Sequence, residues 1–231
     1  MTSTVAQPGS RMQPLIRFDH VSVYAGATPL LQDLSFSLND SAKAVLRGKS
    51  GSGKSSVLKC LLGLYPPTRG TVFFQGEPLS PASIQSVRAA IAYIGQEPIL
   101  GNSTVRDALL LPFRFKAHRT RLPNEACLID MLARFDLTAD VLDRMCVQVS
   151  GGEKQRIALA RAMLLGKSVY LLDEVTSALD AESKKAVMAV LDQPQLTILS
   201  VAHDPDWVGR CSLVLDLENC RLIREARHGN A

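Results

Sequence analysis

A chain of 231 residues with 46% hydrophobic and 21% charged content is long enough for one well-buried α/β domain, too short for two full ones, and too apolar to be disordered. Its 26 basic and 22 acidic residues leave a net charge of +4 without a long basic run, so nucleic-acid binding is not expected. No stretch reaches the roughly 18 apolar residues of a spanning helix, and the opening MTSTVAQPGSRMQP lacks a signal-peptide core, so the chain is expected in the cytosol with residues 1–14 as a flexible tail. The five cysteines, Cys60, Cys127, Cys146, Cys211 and Cys220, are odd in number and form no C-x-x-C pair. That argues against a disulfide framework or a structural zinc site, and they are read as buried or idle thiols in preference to a metal cluster of Cys211, Cys220 and His203.

In chain order, residues 15–24 and 34–38 alternate apolar and polar side chains as half-exposed strands do, with a turn at Ala25, Gly26 and Ala27, and they predict an antiparallel edge. Tyr24 at the end of the first strand is a ring that can fold back over a base, although such a tyrosine is more often a packed strand residue. Residues 42–46 predict a short strand and residues 55–62 a helix that stops at Gly63. Between them stands Gly48, Lys49, Ser50, Gly51, Ser52, Gly53, Lys54, Ser55 and then Ser56. This fits the phosphate-binding pattern G-x-x-x-x-G-K-[ST] in its required strand-to-helix context. The glycines let backbone N–H groups curl round an anion, the helix start adds its positive dipole end, Lys54 would reach the β/γ-phosphates, and Ser55 would offer a hydroxyl to Mg²⁺.

Further on, residues 71–77 predict a strand ending in a turn, and residues 91–94 a strand that delivers Gln96. From 101 to 149 the pattern turns helical, over 104–111, 124–135 and 139–146, and predicts a helical lobe inserted into the α/β core. Arg114, Lys116, His118, Arg119 and Arg121 concentrate between its first two helices, in what reads as a solvated loop. Ser150 and Glu153 have capping-box spacing at the start of a helix running to Gly166. The cap leaves Gly151 and Gly152 unexplained; a glycine pair at a helix start suits close approach of a phosphate.

Residues 169–172 form a fully apolar strand that ends in Asp173 and Glu174. Two carboxylates at that end of a parallel strand call for a cation, and it is the end where ligands bind. Asp173 would hold Mg²⁺ through water and Glu174 would polarise an attacking water. Ser177, Ala178, Leu179 and Asp180 then form a loop into a helix over 182–191. Residues 196–201 form another buried strand with His203 at its end, on the same side of the sheet as Gly48, Gln96 and Asp173. A closing hairpin is predicted over 213–217 and 221–223.

The phosphate loop and acidic strand combined with Ser150-Gly151-Gly152-Glu153-Lys154-Gln155-Arg156 closely resemble the ATP-binding cassette ATPases, over nearly the whole chain from Leu15 onward. The resemblance implies a P-loop NTPase α/β core with an antiparallel β edge subdomain and an inserted helical lobe, one domain spanning 15–231. It also implies roles: Tyr24 stacks on adenine, Gln96 contacts Mg²⁺ and couples to a partner, His203 senses the γ-phosphate, and Ser177 to Asp180 cross between subunits. Val149 stands where the family signature usually has leucine, a conservative change.

The family's geometry implies a second cassette, most simply another copy of the chain, with ATP held between one phosphate loop and the partner's Ser150, Gly151 and Gly152. Three uses remain: a transporter subunit peripheral to the inner membrane, with a separate permease docked near residues 96–111; a soluble cassette ATPase driving assembly or repair; or a scaffold without turnover. Intact Glu174 and His203 disfavour the last. The run from Gln96 to Leu109 is similar to that of small bacterial cassettes assigned to iron export.

Overall fold

The computed structural model describes residues 13–227, so the tail expected over 1–14 lies almost wholly outside the described residues. The elements are β1 (Ile16–Ala25), β2 (Thr28–Leu38), β3 (Lys43–Arg47), α1 (Lys54–Leu61), β4 (Arg69–Phe74), β5 (Glu77–Pro78), α2 (Ile84–Ala90), β6 (Ile91–Ile94) and α3 (Val105–Leu110). They continue with α4 (Glu125–Arg134), α5 (Gly151–Leu164), β7 (Val169–Asp173), α6 (Ala181–Leu191), β8 (Thr197–Val201), α7 (Pro205–Arg210), β9 (Leu213–Glu218) and β10 (Arg221–Arg227). Short 3-10 turns occupy Leu111–Arg114, Arg119–Arg121 and Ala139–Asp143.

The strands form two sheets, an antiparallel one in the order β2-β1-β4-β5 and a second in the order β10-β9-β3-β8-β7-β6. In the second, β9, β3, β8, β7 and β6 run parallel and β10 returns antiparallel to β9. The period-2 geometry of its central strands divides their side chains between two cores. Val169 and Leu171 face a core shared with α1 and the antiparallel sheet, while Tyr170 and Leu172 face one shared with α3 to α6. Every residue of β7 and β8 is buried, so residues 169–172 are apolar without alternation, and the two polar residues of β8 are hydrogen-bonded, Thr197 Oγ1 donating to Asp40 Oδ1 and Ser200 Oγ to Ala44 O. The consequence for function is directional: β3, β6, β7 and β8 all end on one edge, where Gly48, Gln96, Asp173, Glu174 and His203 follow.

Several local readings need correction. Residues 139–146 are not a helix: only the 3-10 turn Ala139–Asp143 forms, and Arg144 is extended. The competing partner is the loop before α3, since Met145 bridges Thr104, Cys146 N–H donates to Ser103 O, and Val105 N–H donates to Arg144 O. The strand over 71–77 breaks at Gln75 and Gly76, both at positive φ, which start a hairpin into β5. Strand β2 begins six residues earlier than the alternation indicates, and α2 and α7 are additional helices.

Candidate functional site

The phosphate loop is built from glycines that nothing else can replace. A Cβ on Gly48 (φ 142°) would lie 2.1 Å from Leu217 O, and one on Gly53 (φ 98°) 2.6 Å from Leu30 O. Side chains Thr104, Asn124, Ser150, Asp180 and Asp204 cap the N-termini of α3 to α7. Helix α1, like α2, has no side-chain cap and no acidic residue in its first turn, and it starts from Gly53 at the phosphate loop. Its first N–H groups and positive dipole end are therefore left to an external anion. Lys54 is buried and its Nζ donates to the loop's own carbonyls, Gly48 O at 2.8 Å and Lys49 O at 2.9 Å. Ser52 Oγ is buried and has no hydrogen-bond partner among the described residues.

Beside the loop, Ser55 Oγ donates to Asp173 Oδ1 at 3.0 Å. Burial pushes the Asp173 carboxyl above its ordinary value; the Ser55 hydrogen bond opposes this, the neighbouring Glu174 charge adds to it, and Lys59 and Lys54 oppose it. A buried carboxylate with a hydroxyl beside it is a hard-oxygen pair suited to Mg²⁺. Glu174 has a left-handed backbone (φ 52°) fixed by its N–H donating to Val201 O at 2.9 Å. A non-glycine residue in that region stores roughly 1–3 kcal/mol of strain. The turn aims its carboxylate at Gln96, whose Nε2 donates to Glu174 Oε2 at 3.1 Å. Sequence reading missed Tyr93, held above the usual phenol range by burial and then by the charge and hydrogen bond of Asp173.

One cleft of about 330 Å³ gathers Ser50, Gly51, Gly53, Lys54, Ser55, Ser56, Gln96, Glu174 and His203. Its far wall is Pro29, Leu30 and Cys220, none of them marked by a motif. Cys220 arrives through the β9–β10 turn, where Asn219 and Cys220 both take positive φ and Gln32 N–H donates to Cys220 O at 2.7 Å. Tyr24 is 44% exposed and pairs across the hairpin with Pro29, placing it at the rim and outside the wall. Lys49 is exposed at the loop's outer edge.

Ser150, Gly151, Gly152 and Glu153 do not line this cleft. They start α5 with a complete capping box, Glu153 N–H donating to Ser150 Oγ at 3.2 Å and Ser150 N–H to Glu153 Oε2 at 2.7 Å. Arg144 pins the same Glu153 at 2.8 Å. A Cβ on Gly152 would stand 3.3 Å from Ala178 O, so the loop from Ser177 to Asp180 sits against the signature. It is anchored at both ends: Ser177 Oγ donates to Glu174 O at 2.8 Å, and Asp180 Oδ1 accepts from the backbone of Glu182 and Ser183.

The profile of the family described as ABC transporter matches residues 31–177. The chain belongs to the ABC transporter family. The cassette is 36% identical over 220 residues to the probable iron export ATP-binding protein FetA of Escherichia coli (strain K12), covering 93% of this chain and 96% of that one. It is 33% identical over 226 residues to an ATP-dependent lipid A-core flippase of Sodalis glossinidius, covering 94% of this chain but 39% of the flippase. In fold it matches a dimeric ATP-binding cassette solved in a post-hydrolysis state with ADP and Pi, at TM-score 0.80 and 23% identity over 93% of this chain and 100% of the other. It is an ATP-binding, ATP-hydrolysing transporter cassette.

Proposed function

We propose that residues 15–231 act as one ATPase domain that pairs head to tail with a second copy of itself and drives a separate transmembrane permease at the cytoplasmic face of the inner membrane. Gly48 to Ser56 cradle the phosphates, Lys54 exchanging its two carbonyl partners for phosphate oxygens. Ser55, Asp173 and Gln96 would hold Mg²⁺, which when bound neutralises charge on the phosphate oxygens. Glu174 orients the attacking water and takes its proton, and His203 contacts the γ-phosphate from across the cleft. Tyr24 at the rim stacks on adenine. Ser150, Gly151, Gly152 and Glu153 complete the partner's site, and Ser177, Ala178, Leu179 and Asp180 cross beside them. No nucleic acid is involved.

The observation that carries the permease is a groove of about 680 Å³ running from Ser55 and Asp173 past Gln96, Glu97, Pro98 and Ile99 to Pro112. Ile99 on its lip is 85% exposed, and Gln96 is bonded directly to Glu174. One residue therefore links the hydrolytic carboxylate to an open docking surface. Export of iron is the cargo reading, supported by the likeness to the probable iron export protein over nearly its full length. The test is purification of Glu174→Gln with ATP from gently solubilised cells. A stoichiometric multi-spanning protein is expected; recovery of soluble partners alone would overturn the transporter reading in favour of assembly or repair.

A further inference from the structure

The loop between α3 and α4 has a composition the ATPase reaction does not use. From Ala108 to Asn124 the chain carries no Asp or Glu, while Arg114, Lys116, Arg119 and Arg121 fall within eight positions with His118 among them. Arg114 is paired with Asp107 at 2.7 Å. Lys116, Arg119 and Arg121 are exposed and enter no ion pair among the described residues. Interleaved with them, Phe115 and Leu122 are each 63% exposed and Leu111 43%. The segment is ordered: two 3-10 turns are tied by His118 N–H and Arg119 N–H donating to Phe115 O at 3.0 and 3.1 Å. Buried Phe113 anchors it, with the His118 ring edge-on at 6.5 Å.

A solvated loop explains the charges but leaves two large apolar side chains held out among them. A surface of cations around apolar plugs is the chemistry of a bilayer interface, where Lys and Arg meet anionic headgroups and the apolar groups enter the acyl boundary. The patch is also continuous with the groove described above, since Pro112 belongs to both. We infer that Phe115 to Leu122 forms a contact with anionic phospholipid headgroups, through Lys116, Arg119 and Arg121 with Phe115 and Leu122 inserted between them. Its orientation toward a membrane rests on the transporter reading. Its lipid affinity can be measured without any permease.

The experiment is co-sedimentation of the purified full chain with phosphatidylcholine vesicles, with and without phosphatidylglycerol, in low and high salt. Salt-sensitive binding to the anionic vesicles alone is expected. Arg119→Glu/Arg121→Glu should weaken it roughly 25-fold or more, two charges at about fivefold each, with ATP turnover and circular dichroism unchanged. Phe115→Ser/Leu122→Ser should weaken binding while keeping its dependence on anionic lipid. Equal binding to neutral vesicles, or full retention by Arg119→Glu/Arg121→Glu, would overturn the inference. So would absence of vesicle binding with loss of membrane recovery in cells, which assigns the patch to an acidic protein segment. Failure to co-purify a permease would sink the transporter reading and leave the vesicle result standing.

Discussion

The phosphate cleft and the signature segment each open a helix from glycine, yet the chain treats the two helix starts differently. At the cleft, six stretches distant in sequence converge: the loop, Glu174, Gln96, His203, Pro29 with Leu30, and Cys220. Helix α1 is left without a side-chain cap there. At the signature, the side chains satisfy one another: Ser150 and Glu153 close a capping box and Arg144 neutralises the carboxylate. Gly151 faces open space, while Gly152 lies against the loop from Ser177 to Asp180. In the pairing proposed above, one region is a nearly finished site and the other is the lid that a second copy of the chain would bring to it.

The largest effect should come from the hydrolytic carboxylate. Glu174→Gln is expected to lower turnover about 10²- to 10⁴-fold, the range for a removed general base, while size-exclusion chromatography shows a dimer that forms only with ATP; a monomer under those conditions breaks the pairing. Next comes a mixing experiment. Lys54→Ala removes the ammonium that sits on Gly48 O and Lys49 O and should cost about 10²- to 10³-fold in turnover. Gly151→Asp adds a negative charge where a Cβ meets no atom within 4 Å, so the fold is spared and the lid spoiled. Each variant alone should be nearly inactive, and the two mixed should regain activity, because one site of the mixed pair has an intact loop and an intact lid. No recovery would mean the two regions serve the same chain.

A smaller effect sharpens the electrostatic side. The Asp173 carboxyl is raised by burial above its unfolded value, so it contributes fully to stability below the unfolded value and that contribution is lost as pH rises through the folded one. Without a cation, Asp173→Asn should therefore melt at higher temperature than the parent at neutral pH, and the gap should close on acidification through the carboxylate range, as thermal denaturation at several pH values would show. The smallest effect belongs to the signature's own fold: Ser150→Ala should cost about 1 kcal/mol in urea unfolding without ATP, through loss of the cap.

Much of this arrangement was legible because it rests on short-range chemistry. The phosphate loop, the apolar run at residues 169–172 and the capping box at Ser150 are patterns of neighbouring residues, and local geometry enforces them. The unread parts depend on distant partners. Tyr93 alternates like any strand residue, and only the parallel pairing of β6 with β7 brings it to Asp173. Residues 139–146 carry helical spacing, yet backbone bonds from Ser103 and Val105 draw the chain into an extended course after Asp143. Helix α7 went unread, although Asp204 caps it and Pro205 stands at its first position; its six residues are too few for a periodicity.

The wall of the cleft comes from both ends of the chain. Gly48 seats against Leu217 O, Arg47 forks onto Asp216 at 2.8 and 2.9 Å, and Cys220 O holds Gln32 N–H. A nascent chain still lacking residues 213–220 carries the entire phosphate loop and no closed pocket around it. ATP should therefore stabilise a chain during synthesis only after the β9–β10 hairpin has emerged and packed beside the loop.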